Sequence, residues 1–295
     1  MLGKAKEVFN KLEKRDVVSW TALIGGYIQH GHCEEALKCF EQMQRNSVSP
    51  SALTFSCILK ACGTLGALDK GKEVHSKLLS EGLLKTNLFV GNALIDMYTK
   101  CGELAKAQQV LEELPMRNAS SWSALIIGYT QHGQGHKALN CFERMQSEGL
   151  SPDTVTFICI LKACGRIGCI ENGKKMHHEI ISTGLLEEDF MLGTPLADMY
   201  VKCGILGKAQ EVFDKLAMRD VVSWTTLIAG YVRHGLSDEA LNCFRKMQNE
   251  GLSPNMVTFI SILKVCGNMG LLELGEEIHA EIHNQGLLVK ANGIG

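Results

Sequence analysis

The sequence lacks the features that mark membrane proteins, common enzyme classes and strongly basic nucleic-acid proteins. No apolar run reaches the roughly 18 residues of a membrane helix, and no signal peptide or organellar presequence opens the chain. P-loop, dinucleotide-binding and nucleophile-elbow motifs are absent. The net charge is only −2, so any attraction to phosphate must come from the placement of basic residues.

A repeat of 102 residues runs through the chain. Trp20, Trp122 and Trp224 open nearly the same phrase, SWTALIGGY, SWSALIIGY and SWTTLIAGY. Prolines keep the same spacing at Pro50, Pro152 and Pro254. Because a single active site has no reason to occur three times at constant spacing, the pattern favours a repeat array over an enzyme domain.

The 12 cysteines follow the repeat rather than a disulfide or metal-binding pattern. Two slots recur inside apolar helical patterns: Cys39, Cys141 and Cys243, and Cys62, Cys164 and Cys266. We therefore predict buried cysteines that act as small apolar side chains. Reduced thiols in this number indicate a reducing compartment, and we predict neither a metal nor another cofactor.

Each 102-residue block divides into units of 35, 36 and 31 residues. The predicted units are 17–51, 52–87, 88–118, 119–153, 154–189, 190–220, 221–255 and 256–291, with a partial unit at 1–16 and the start of another at 292–295. The partial unit 1–16 closely matches 205–220, which is the second half of a 31-residue unit.

Helical periodicity within a unit predicts two antiparallel helices. An apolar stripe recurs at helical spacing in the first half: Trp20, Leu23, Ile24, Tyr27 and Ile28. His30, Gly31 and His32 break that helix, and a second apolar pattern follows. Stacked pairs of this kind predict an all-α fold, an α-solenoid with a right-handed superhelix and a groove lined by first helices. Pro195 predicts a helix start near Thr194 in its unit.

The length pattern and the motifs resemble pentatricopeptide repeat proteins of the plant PLS subclass. The motifs RDVVSWTALIGGY, EALKCFEQMQ, SPDTVTFICILKACG, GKKMHHEI and NALIDMYTKCG look like that subclass over essentially the whole chain. In this resemblance the 35-, 36- and 31-residue units are P, L and S motifs. It implies binding of single-stranded RNA, one base per repeat, as the targeting module of an organellar C-to-U RNA editing factor.

The resemblance also implies which residues choose the base. The fifth residue of a repeat, on its first helix, pairs with the last residue, in the loop to the next repeat. The pairs in which both residues are polar are Thr21 with Ser51, Ser56 with Asn87, Asn92 with Asn118, Ser123 with Asp153, Thr194 with Asp220, and Thr225 with Asn255. Asp189 is paired with Ile158, which cannot hydrogen-bond, and Ala291 is paired with Ile260.

Read with the RNA 5′ end at the protein N-terminus, the pairs predict N-A-C/U-G-N-G-A-N. The Thr21 and Ser51 pair has no assigned base, and the second position is weak. The second residue of each repeat is expected to stack on the base face: Val18, Leu53, Phe89, Val155, Met191, Val222 and Val257. Ser120 departs from this apolar pattern. The alternative for the polar pairs is ordinary helix capping.

The expected partners are single-stranded RNA and editing-factor (MORF/RIP-type) proteins, the latter through the L motifs 52–87, 154–189 and 256–291. We expect no membrane and no DNA duplex as partner, and a mitochondrial or chloroplast location whose targeting segment lies outside this chain. His177 and Glu179 begin a zinc-deaminase signature, but no P-C-x-x-C follows, so catalysis is not expected. The rival function is a protein-binding solenoid of the tetratricopeptide kind, whose nearly uniform period of about 34 residues fits this chain less well.

Overall fold

The computed structural model describes residues 2–188 and 191–286, which form 19 helices and no strand. The predicted all-α fold of helical hairpins is confirmed. None of the helices in these ranges has the length and apolarity needed to span a bilayer. The helices are α1 Leu2–Asn10, α2 Val17–Gln29, α3 Cys33–Arg45, α4 Ala52–Leu65, α5 Leu68–Ser80, α6 Leu83–Thr86, α7 Leu88–Lys100, α8 Leu104–Glu113, α9 Ala119–Gln131, α10 Gly135–Ser147, α11 Thr154–Ile167, α12 Ile170–Ser182, α13 Leu185–Glu188, α14 Gly193–Lys202, α15 Leu206–Asp214, α16 Val221–Arg233, α17 Ser237–Asn249, α18 Met256–Met269 and α19 Leu272–Asn284.

The chain forms two compact units, Met1–Thr156 and Phe157–Gly295. In the first unit the first helices of successive hairpins pack in the order α2, α4, α7 and α9, and each also packs on its own second helix. In the second unit α14, α16 and α18 pack in the same way. Within each unit, successive first helices therefore pack against one another, and the N-terminal turn of each lies at a junction between hairpins.

The tryptophans and cysteines of the repeated slots lie in the core. Trp20, Trp122 and Trp224 are at most 2% exposed. All six cysteines of the two repeated slots are buried, and no disulfide joins cysteines in the described ranges. Burial raises the pKa of Cys62 to about 12 and that of Cys141 to about 11, which leaves these thiols protonated and unreactive. The prediction of buried cysteine slots is confirmed.

Two features of individual repeats were not predicted, and a third, the start of the helix that contains Pro195, agrees with the prediction. The four-residue helices α6 and α13 follow the second helices of two 36-residue units and were not predicted. Helix α14 begins at Gly193, which puts Pro195 in its first turn, where proline is tolerated. His279 occupies the same slot as His75 and His177, but it is exposed. The other two bond tyrosines 23 residues later, His75 Nδ1 to Tyr98 Oη and His177 Nδ1 to Tyr200 Oη, both at 2.8 Å, and the described residues include no such partner for His279.

The first copy of the tryptophan site is incomplete. Trp122 Nε1 donates to Glu148 Oε2 at 2.8 Å, and Trp224 Nε1 donates to Glu250 Oε2 at 2.9 Å. Burial by itself would raise the pKa of Glu148, but hydrogen bonds from Trp122 and Arg117 lower it. At the equivalent place in the first copy stands Asn46. Trp20 Nε1 is consequently buried without a partner among the described residues.

We predict that the double substitution Asn46→Glu with Ser47→Gly stabilises the protein. A buried donor without a partner costs about 1–3 kcal/mol, and the backbone of Asn46 matches that of Glu148, so the new carboxylate can accept from Trp20. Ser47 has a φ of +54°, where the second copy has Gly149 at +73°. A non-glycine residue there costs roughly 1 kcal/mol, partly offset by the extra freedom glycine gives the unfolded chain.

Chemical denaturation should therefore show the free energy of unfolding raised by about 1–2 kcal/mol. Gln42→Glu is the matched control, since it adds the same charge at an exposed position of the same helix. A gain no larger than that of the control would contradict the assignment of Trp20 as an unsatisfied donor.

Candidate nucleic-acid interface

The last residue of a repeat is the N-cap of the following first helix at each described junction. In every case a side-chain oxygen accepts from the backbone N–H three residues later, which satisfies one of the unpaired N–H groups at the helix start. The bonds run to Ser51 from Thr54 at 3.2 Å, to Asn87 from Val90 at 3.3 Å, to Asn118 from Ser121 at 2.9 Å, to Asp153 from Thr156 at 2.8 Å, to Asp220 from Ser223 at 2.8 Å and to Asn255 from Thr258 at 2.9 Å. Asp189 and Ala291 lie outside the described residues.

Capping uses only one side-chain oxygen of each aspartate or asparagine. In Asp153 the capping atom is Oδ1, and the second carboxylate oxygen remains an acceptor. In Asn255 the capping atom is also Oδ1, so the remaining group is the Nδ2 amide donor. These residues therefore do cap helices, as the alternative interpretation predicted. Each aspartate still has a free acceptor oxygen, and each asparagine still has an amide donor.

The fifth residues of the 35-residue units are almost fully buried. Thr21, Ser123 and Thr225 are 8%, 6% and 8% exposed. Each hydroxyl donates to the carbonyl of the residue four positions earlier and also contacts the hydroxyl of a threonine in the next hairpin. The hydroxyl contacts are Thr21 with Thr54, Ser123 with Thr156, and Thr225 with Thr258, each at 2.7 Å.

Four of the six predicted pairs are brought together. Three are joined through the threonine at the start of the next helix, as in Ser123, Thr156 and Asp153. The fourth is direct, with Asn92 Nδ2 donating to Asn118 Oδ1 at 3.4 Å. The remaining two, Ser56 with Asn87 and Thr194 with Asp220, make no hydrogen bond to each other in the part of the chain that the structure describes. Ser56 and Thr194 are both half-buried.

The predicted stacking residues are all exposed. Their exposure runs from 51% for Val155 to 82% for Phe89. The others are Val18, Leu53, Met191, Val222 and Val257, between 54% and 70% exposed. Ser120, at the same position of its repeat, is exposed as well. The fold thus leaves an uncovered apolar side chain near the start of seven first helices, although core formation favours burying such groups.

One cavity brings a stacking pair and a base-selecting pair together. A cavity of about 370 Å³ lies between α2 and α4. Val18 and Leu53, from successive hairpins, line it together with Thr21 and Ser51, and the remaining lining residues are Val17, Ala22, Gly25 and Cys57. A flat ligand in this cavity would therefore contact the apolar side chains of Val18 and Leu53 with its faces and the hydroxyl groups of Thr21 and Ser51 with its edge.

Sequence reasoning missed three lysines on the same helix face. Lys60, Lys162 and Lys264 are exposed and occupy the same position in the three 36-residue units. Each lies seven residues after a predicted stacking residue, so the two share a helix face. None of the three forms an ion pair with a described residue, whereas Lys100 pairs with Asp96 at 2.7 Å. Helical spacing from the second position could have found these lysines in the sequence.

Comparisons with known proteins place these features in a family. The PPR repeat family model matches residues 15–64, 117–166 and 219–268, and the PPR repeat model matches 92–118. A chloroplastic pentatricopeptide repeat-containing protein of Arabidopsis thaliana is 37% identical over 95% of this chain and 45% of its own length. A mitochondrial one from the same plant is 38% identical over 94% of this chain and 32% of its own length. The chain thus spans less than half the length of these relatives.

Among solved structures, a tetratricopeptide repeat protein from Parabacteroides merdae aligns with a TM-score of 0.52 at 15% identity. The alignment covers 84% of this chain and 98% of that one. The pentatricopeptide repeat protein PPR10 in complex with an 18-nt psaJ RNA element aligns with a TM-score of 0.49 at 18% identity, over 97% of this chain and 53% of that one. The first of these likenesses supports the solenoid fold of helical hairpins.

Proposed function

The chain belongs to the pentatricopeptide repeat family, and from that premise we propose that it binds single-stranded RNA with one base at each hairpin junction. The observation that carries the proposal is the set of exposed apolar side chains, one near the start of each of seven first helices. Exposed apolar side chains that recur on one face of a protein mark an interaction surface, and the face of a base splayed out of a duplex can pack against them.

In this proposal each part of the junction has a separate role. The second residues of successive hairpins, such as Val18 and Leu53, hold the two faces of a base. The fifth residue and the N-cap meet its Watson–Crick edge, and Lys60, Lys162 and Lys264 attract the phosphates. Since the net charge is −2, this local placement supplies the electrostatic attraction that phosphate binding needs.

The proposed biological setting is RNA editing in an organelle. The alternation of 35, 36 and 31 residues supports membership of the PLS subclass, and the names of the relatives place them in chloroplasts or mitochondria. The array is then the targeting module of a C-to-U editing factor in a chloroplast or mitochondrion. Its L motifs, which contain Ile158 and Ile260 at the fifth position, contact editing-factor proteins of the MORF/RIP type.

An RNA-binding assay separates this function from the protein-binding alternative. Gel shifts should compare an RNA of sequence N-A-C/U-G-N-G-A-N with a scrambled RNA and with single-stranded DNA, over a range of salt concentrations. We expect tightest binding to the first RNA and a preference that persists as salt rises, since phosphate contacts alone are salt-sensitive but blind to sequence. Absence of RNA binding would favour the protein-binding solenoid.

We predict that Asp153→Asn changes the preference at the fourth nucleotide from guanine towards adenine. The cap is kept because Oδ1 still accepts from Thr156, but the outward group becomes an amide donor, as in Asn255. A donor favours adenine N1, whereas the carboxylate favours the N1–H and N2–H groups of guanine. One base-edge contact is worth roughly 1–3 kcal/mol, so the guanine to adenine affinity ratio should fall by about fivefold or more.

Asp220→Asn is the matched control for this substitution, because it makes the same change at a cap whose fifth residue is Thr194. It should alter the preference at the sixth nucleotide and leave the fourth unchanged. An unaltered guanine preference in the Asp153→Asn protein, measured by binding to RNAs that differ only at nucleotide four, would refute this base assignment.

A further inference from the structure

Three buried threonines link the fifth residue of a P motif to the N-cap of the next hairpin. They are Thr54, Thr156 and Thr258, each fully buried at the third position of an L motif, and we call them the bridging threonines. We propose that the bridging threonines are specificity-determining positioning residues, which hold the fifth-position hydroxyl as a hydrogen-bond acceptor towards the base. This inference rests on the proposed RNA-binding function.

The second copy shows the network most clearly. Thr156 Oγ1 lies 2.5 Å from Asp153 Oδ1 and 2.7 Å from Ser123 Oγ. Ser123 Oγ lies 2.8 Å from the carbonyl oxygen of Ala119. These three close oxygen pairs have only the two hydroxyl protons of Ser123 and Thr156 between them, because a carboxylate and a carbonyl supply none.

The carboxylate decides where the two protons go. A hydroxyl bonded to a carboxylate makes the strongest bond in such a set, so Thr156 donates to Asp153. The proton of Ser123 is then drawn to Thr156 Oγ1 or to the carbonyl of Ala119, both within hydrogen-bond distance. In either arrangement the proton of Ser123 is used inside the protein, and the Ser123 oxygen presents only lone pairs to a ligand.

With the fifth-position hydroxyl fixed as an acceptor, the N-cap residue alone determines which base is preferred. Ser123 with Asp153 presents two acceptors, which match the N1–H and N2–H donors on the edge of guanine. In the third copy Thr258 contacts Thr225 at 2.7 Å and donates to Asn255 Oδ1 at 3.1 Å. Thr225 is then again an acceptor, for the adenine N6 amino group, while Asn255 Nδ2 donates to adenine N1. The bridging threonine thus keeps the fifth-position hydroxyl an acceptor in both copies, and only the N-cap residue differs.

The junctions that enter S motifs lack this device. Their third residues are Val90 and Leu192, which are buried and have no hydroxyl. Ser56 is the fifth residue of the repeat that precedes Val90. It donates to the carbonyl of Ala52 at 3.0 Å and has no bond to the cap Asn87 in the described structure. The fifth residue and the cap are thus not held together there, which agrees with the weak second position that the resemblance implies.

The test uses Thr156→Val and Thr156→Ser in the 295-residue chain. Valine keeps the shape of threonine but removes the hydroxyl, so Ser123 loses its link to Asp153, and the serine oxygen and the carboxylate are no longer held together to face the two donors of guanine. Dissociation constants are measured for RNAs with guanine or adenine at nucleotide four, and separately at nucleotide seven. We expect Thr156→Val to lower the guanine to adenine ratio at nucleotide four about tenfold and to leave nucleotide seven unchanged, while Thr156→Ser keeps the wild-type ratio.

Three outcomes would overturn the proposal. These are an unchanged ratio in Thr156→Val, an equal loss of discrimination at nucleotides four and seven, and a loss in Thr156→Ser as large as in Thr156→Val. If Thr156→Val does not fold, as judged by thermal melting, Thr258→Val gives the same test at nucleotide seven. Failure of the wild-type chain to bind any of the RNAs would instead refute the proposed function itself.

Discussion

Replacing Leu53, Val155, Val222 and Val257 together by serine is expected to weaken RNA binding about a thousandfold without unfolding the protein. All four side chains are more than half exposed, so the core does not depend on them. Covering the exposed half of a valine or leucine side chain with a base buries apolar surface worth about 1 kcal/mol. Four such losses amount to roughly 4 kcal/mol, and each 1.4 kcal/mol is a tenfold change in the dissociation constant.

The chain offers a matched control on its second helices. Val8, Leu79, Ile181 and Leu272 are 56% to 74% exposed and lie on α1, α5, α12 and α19. Their replacement by serine removes a similar apolar surface away from the hairpin junctions. Fluorescence anisotropy with labelled RNA should show near wild-type affinity for this control, and thermal melting should be similar for both variants. Equal affinities for the two variants would show that the second residues do not contact RNA.

The sequence predicts the fold well because the helical period and the helix caps are local signals. The stripe from Trp20 to Ile28 identifies a first helix, and α2 does run from Val17 to Gln29. The exposure of residues such as Val18 is also predictable, because an apolar residue outside the stripe has no core to enter. The four-residue helix α6 has too few residues for its periodicity to be recognised.

The hydrogen-bond network of the junctions could not be predicted in this way. Ser123 and Thr156 are 33 residues apart, and their contact depends on how two hairpins pack. Nothing local distinguishes a fifth-position serine that faces solvent from one whose proton is already used. The incomplete Trp20 site, by contrast, could have been predicted from the sequence, because the first copy has Asn46 where the other two have Glu148 and Glu250.

From the packing of the first helices, we predict opposite changes in stability when two equivalent glycines are replaced by alanine. Gly26 and Gly128 occupy the same slot, on α2 and α9. A Cβ on Gly128 would lie 2.5 Å from Thr99 Cγ2 and 2.6 Å from Thr99 Cβ, whereas a Cβ on Gly26 would meet nothing within 4 Å. Thr99 is β-branched, buried and bonded to the carbonyl of Asp96, so it cannot move aside without cost.

In this 295-residue chain, Gly128→Ala should lower the free energy of unfolding by about 1–3 kcal/mol, the usual cost of overpacking. Gly26→Ala should raise it by about 0.5–1 kcal/mol, because alanine is the better residue in a helix interior. Denaturant titration of both variants measures the difference. Adding Thr99→Gly to Gly128→Ala should destabilise the protein less than the sum of the two single changes, because glycine removes both the Cβ and the Cγ2 that the new alanine would meet, and a double-mutant cycle isolates that coupling. Equal stability of the two glycine variants would mean that α7 does not press on α9 as closely as Thr99 and Gly128 indicate. Opposite signs of the two stability changes would confirm that α7 and α9 are in close contact at Thr99 and Gly128. In the proposed function, this contact between first helices also sets the spacing of the bases.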